Sequence, residues 1–110
     1  MTGRRVADLL ALPVRMHGIQ LGRPIGALVD PQDDRLLGLE LVCGDGAHRF
    51  LPYTVARVGA REIEVSSALA LIDERDLEYY RRHSRRVDDV GYDDPWVDDD
   101  GGLREARNAA

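Results

Sequence analysis

Apolar side chains alternate with polar or small ones between residues 13 and 65, a period of two that predicts β-strands. The stretch 22–43 organises the rest. Over 24–30, Ile25, Ala27 and Val29 fall on one side, and Gly26 and Leu28 on the other. Over 35–43, Leu37, Leu39 and Leu41 oppose Leu36, Gly38, Glu40 and Val42. The triple-leucine side is the strongest core signal in the chain, and the mixed side carrying Glu40 reads as partly wet. Asp30, Pro31, Gln32, Asp33 and Asp34 join the two strands, because Asp accepts local backbone hydrogen bonds and Pro presets φ. Gly26 predicts a bulge or a close backbone approach. Further short strands are predicted at 13–16, 48–51, 55–58 and 62–65, with a small loop at 18–22. One helical turn over 4–10 precedes them, and there Val6, Leu9 and Leu10 share a face. About six short strands at this spacing predict a mainly β fold, a small, highly curved antiparallel β-barrel that leaves no exposed edge.

The pattern changes at residue 73. Asp73 can cap a helix that begins here, with Glu74 and Asp76 in the first turn. Arg81, Arg82, Arg85 and Arg86 follow toward its end, the order that the helix dipole favours. Glu78 and Arg82 form an i,i+4 pair, and Leu77, Tyr80, Ser84 and Val87 a narrow stripe. The chain therefore divides into a β-barrel over 1–72, one C-terminal α-helix over 73–87 packed on it, and the remainder, 88–110. In that remainder periodicity collapses into acids and glycines, which predicts a disordered acidic tail.

Charge follows the same division. Residues 1–87 hold 13 Arg against 12 Asp or Glu, whereas 88–110 hold 2 Arg against 8. A nearly neutral body with an acidic tail argues against nucleic-acid binding by phosphate neutralisation. Cys43 is the single cysteine, so no intrachain disulfide and no cysteine metal cluster can form. The N-terminal apolar run is broken by Asp8 and Pro13. It is too short for a membrane span and lacks a secretory cleavage pattern, so a cytoplasmic protein with no membrane span is expected.

Candidate chemistry is sparse. His17, His48 and His83 fall in a turn, a strand and a helix, and the spacing of His48 from Cys43 is not a zinc spacing. Ser66 and Ser67 lack the context of an activated nucleophile. The run of Asp93, Asp94, Asp98, Asp99 and Asp100 fails the calcium-loop register, because counting back from Gly101 puts Trp96 at the first ligand position. No catalytic, cofactor-binding or metal-binding residue is singled out, so no enzyme activity and no cofactor are expected. Two features suit a partner. The cluster Arg81, Arg82, Arg85 and Arg86 can dock acidic surfaces, and Trp96, flanked by acids, can anchor in an apolar groove.

Residues 9–65 resemble the PRC-barrel family, named for the cytoplasmic domain of the photosynthetic reaction-centre H subunit. The matching segments are LLALPV at 9–14, LGRPIG at 21–26 and LLGLEL at 36–41, with Asp30 closing a strand. FLPY at 50–53 and VGAREIEV at 58–65 complete them, and DLEYYRRHSRRV at 76–87 resembles the helix that trails the barrel in some stand-alone bacterial members. The resemblance implies a non-catalytic adaptor that mediates protein–protein interaction. The partner is unidentified, and a homodimer through strand edges or barrel faces is one form it could take. The family also includes a domain of a ribosome-maturation factor, which implies, as the alternative, an RNA- or ribosome-associated module.

Overall fold

The computed structural model describes residues 3–105. The chain runs through β1 (Arg4–Arg5), α1 (Val6–Leu10), β2 (Val14–Met16), β3 (Ile19–Val29), β4 (Leu36–Cys43) and β5 (His48–Pro52). After a 3-10 turn at Tyr53–Val55 come β6 (Arg57–Val58), β7 (Ile63–Glu64) and a second 3-10 turn at Ala68–Ala70. The last part holds α2 (Glu74–Arg82), β8 (Arg85–Arg86), α3 (Val87–Val90), β9 (Trp96–Val97) and β10 (Leu103–Arg104).

The mainly β class expected from the alternation is present, and β3 is its spine. The predicted loop at 18–22 is instead the start of this strand. Its beginning pairs with β2, its length from Gly22 onward with β4, and its last two residues with β8. The β2–β3 turn needs left-handed backbone at His17 (φ 51°) and Gly18 (φ 81°). Two register shifts bend the β3–β4 ladder, leaving Ile25 and Leu37 without cross-strand partners in it. The bulge predicted at Gly26 thus lies one residue earlier. The shift at Leu37 moves that side chain off the leucine face and puts Leu36 there instead, beside Leu39 and Leu41.

Barrel closure does not occur among the described residues. The larger sheet runs β5-β4-β3-β2-β7-β6, with β5 and β6 at its ends, and β2 and β7 pair in parallel. The β6–β7 hairpin does not pair with β5. The free edge of β5 is taken instead by the segment entering α2, through paired Phe50–Ile72 backbone hydrogen bonds of 2.9 and 2.8 Å.

The C-terminal third departs from expectation most. The helix ends at Arg82 rather than running to 87. Arg85 and Arg86 turn extended and pair with Val29 and Leu28, so ladder bonds at the end of β3 replace another helical turn. The segment after them is not a disordered tail up to residue 105. β9 lies between β1 and β10 in a second, three-stranded sheet, and Val97 is fully buried in the main core. Backbone bonds from Val6 to Pro95 (2.9 Å) and from Leu36 to Gly101 (2.7 Å) sew this segment to the body.

The main core gathers Val6, Leu9, Val14, Ala27, Val29, Leu36, Leu39, Leu41, Leu51, Ile63, Val65, Val87 and Val97. A smaller cluster of Leu28, Phe50 and Leu77, flanked by Leu37, Ile72 and Tyr80, fills the other side of the sheet beneath α2. No helix among the described residues is long and apolar enough to cross a membrane.

Candidate interaction surface on helix α2

The outer strand face that alternation marks as wet is covered by α2. Leu77 inserts fully into the small cluster, and the ring of Tyr80 stacks on Phe50 with centroids 4.5 Å apart. Gly38 makes room for this layer, since a Cβ there would overlap the Phe50 ring and the Leu51 carbonyl. At the helix start the Asp73 carbonyl accepts from the backbone N–H of Asp76 and Leu77, at 3.0 and 2.8 Å. The Asp73 side chain itself makes no capping hydrogen bond.

Glu40 lies at the centre of the covered face, 3 % exposed. Two guanidinium groups and an imidazole converge on it. Arg81 donates to both carboxylate oxygens, from Nη2 at 2.6 Å and Nε at 3.3 Å. His48 Nδ1 lies 3.0 Å from Oε2, and Arg86 Nη1 3.7 Å from Oε1. Gly26 lies under the Arg86 guanidinium, whose Nη2 would stand 2.6 Å from a Cβ at that position. The hydrogen bonds from Arg81 hold the Glu40 pKa below the ordinary carboxylate value, against the upward push of burial, with smaller help from His48 and Arg86. The same contact raises Arg81. This cluster ties α2 and β8 to the sheet.

The structure therefore separates the four arginines singled out by sequence. Arg81 and Arg86 turn inward to Glu40, and Arg81 also meets Glu78 at 3.2 Å, so Glu78 pairs at i+3 and not with Arg82. Arg85 donates to the Asp89 carbonyl at 2.9 Å. Arg82 is exposed and forms no ion pair among the described residues. Trp96 sits half-buried in the central strand of the small sheet, not in a free tail. The Glu40 cluster itself was not anticipated. Its signals were the glycines Gly26 and Gly38 beside a charge on a strand, with cations later in the chain.

Most of what α2 leaves outside is charged, and one large aromatic ring stands among these groups. Tyr79 is 62 % exposed, its ring against Tyr80 edge-on at 5.6 Å and against His83 at 4.3 Å. Ile72, Asp76, Tyr79 and Tyr80 line an open cleft of about 340 Å³. In the preceding 3-10 turn, Leu69 stands 93 % exposed between exposed or half-buried alanines. No group of three or more His, Cys, Asp or Glu side chains among the described residues is placed to hold a metal ion. A scan against protein-family models and searches of the curated proteins and of the solved structures find no match to this chain.

Proposed function

We propose that this protein is a non-catalytic binding module that mediates protein–protein interaction, and that it meets its partner through the outer face of α2. The observation that carries this reading is the exposed Tyr79 ring, held against Tyr80 and His83 and lining an open cleft with Ile72 and Tyr80. An aromatic side chain already held by its neighbours loses little entropy on binding, which is what an interface anchor needs. The PRC-barrel resemblance of residues 9–65 supports an adaptor of that type, and its glycines and leucines coincide with the bent β3–β4 ladder. The open sheet and the parallel β2–β7 pair are departures from a barrel. The RNA-associated alternative has less support, because two of its four arginines are held by Glu40.

The test is affinity capture from the native host with wild type and Tyr79→Ala side by side. A specific protein retained by wild type and lost by the variant is expected. Identical recoveries, or none from either, would remove the reading.

A further inference from the structure

We infer that the stripe along one side of α2, where Tyr79 faces solvent and Tyr80 also packs on Phe50, pairs with the same stripe of a second copy in an antiparallel, two-fold contact. This rests on the binding-module reading and names its partner. Asp76, Tyr79, Tyr80 and His83 follow the i, i+3, i+4, i+7 spacing that puts side chains on one helix face. The acid stands at one end of this stripe, the imidazole at the other and the two tyrosines between them. Residues 76, 79 and 80 line the same open cleft, and the His83 ring packs against Tyr79 with centroids 4.3 Å apart.

A two-fold contact brings one surface against itself, so that if one residue meets a second, the second also meets the first. Antiparallel pairing centred between Tyr79 and Tyr80 sets each Tyr79 against the second copy's Tyr80. It sets each Asp76 against the second copy's His83. The stripe is thus self-complementary in its polar groups, since each carboxylate acceptor meets an imidazole N–H donor. Neither Asp76 nor His83 has an ion-pair partner among the described residues, so both remain available for the contact. Ile72, four residues before Asp76, adds apolar lining to the cleft. Two helices of nine residues give a contact below the standard interface size, so the dimer is expected to dissociate in the micromolar range.

The pairing can be tested by charge exchange. Within one chain, residues 76 and 83 are seven positions apart, about 10 Å along the helix, beyond ion-pair reach. Any rescue between them must act across the dimer. Sedimentation equilibrium from about 1 µM to about 1 mM should show a monomer–dimer equilibrium for wild type. His83→Glu should raise the dissociation constant about tenfold or more, and the double variant Asp76→Lys with His83→Glu should return it to within about threefold of wild type. Thermal unfolding of each variant at monomeric concentration confirms that it is folded. Should His83→Glu not fold, Tyr79→Ala takes its place, with the same tenfold weakening expected.

A wild type that stays monomeric at every concentration overturns the inference. So does a dimer that His83→Glu, or Tyr79→Ala in its place, does not weaken, or a double variant no tighter than His83→Glu alone. A monomer that still captures a foreign protein through Tyr79 would remove the self-association and leave the binding-module reading standing.

Discussion

A carboxylate taken out of water costs several kcal/mol unless cations and hydrogen bonds replace its hydration. For Glu40 the replacement is unequal in one respect that can be measured. Arg81 and Arg86 keep 30 % and 47 % of their side chains exposed, while Glu40 keeps 4 %. If the carboxylate is neutralised, the guanidinium groups can still turn to solvent. If Arg81 is neutralised, Glu40 stays buried with only His48 and the more distant Arg86. Arg81→Met, which keeps the apolar stem, should therefore cost about 3 kcal/mol, and Glu40→Gln about 1–2 kcal/mol. Urea denaturation of the two variants decides this, and equal losses would mean that the cluster is not governed by Glu40 desolvation. The cluster also sets an acid response. The Glu40 pKa is lower in the folded chain than the ordinary 4.5, so its contribution is complete above that pH and is lost as pH falls through the folded value. Asp45, bonded to Arg49 at an exposed turn and lowered to about 2, shares that direction but is screened by solvent. In a titration of unfolding free energy below pH 4.5, Glu40→Gln should show a shallower decline than wild type. An unchanged slope would assign the acid response to other carboxylates.

At the scale of elements, the contact of α2 with the sheet depends on places where a side chain is missing. Gly38 faces the Phe50 ring and the Leu51 carbonyl, both held in β5, so neither can move aside. Gly38→Ala should destabilise by about 1–3 kcal/mol or more, with near-UV circular dichroism altered as Phe50 and Tyr80 unstack. Gly44, in the β4–β5 turn, has nothing within 4 Å of an added Cβ, and Gly44→Ala should change stability by less than about 0.5 kcal/mol. Comparable losses at both sites would mean that overlap with Phe50 and Leu51 does not set the cost at Gly38. These elements differ in how much of them sequence could show. The β3–β4–β5 hairpins were legible, because Leu39, Leu41 and Val29 repeat every second residue and Asp30–Asp34 and Gly44–Gly46 carry turn chemistry. The buried state of the opposite face was not. Glu40 and Gly38 read as a wet edge in any local window, since what buries them arrives some forty residues later. The helix start was legible from Glu74 and Asp76, but its end was not. Arg85 and Arg86 suit a helix C-terminus as well as a strand, and only the unpaired end of β3 decides between them.

For the whole molecule, the decisive long-range feature is the segment that composition marks as a tail. Two-residue strands carry no periodicity, and seven acids between 88 and 100 outweigh Val90, Trp96 and Val97 in any average. The segment folds because its few apolar groups meet partners from the far end of the chain. Arg4 and Arg5 pair with Val97 and Trp96, Arg5 meets Asp94 at 2.7 Å, and Gly101 accepts from Leu36. Val97 then completes a core that also holds Val6 and Leu36. A chain ending at residue 87 would expose that core and leave β1 without β9, its neighbouring strand. Loss of Val97 burial alone is worth about 2 kcal/mol, which for a domain of this size lowers the melting temperature by about 8–16 °C. The lost backbone hydrogen bonds at Val6 and Leu36 add to that. Thermal unfolding of the shortened chain, with amide exchange at Val6 and Leu36, tests this. A melting temperature within a few degrees of the full chain, with both amides still protected, would mean that 88–105 rests on the body without supporting it. A large drop with both amides exchanging freely is expected, because the second sheet and the main core share Val97 and cannot be separated.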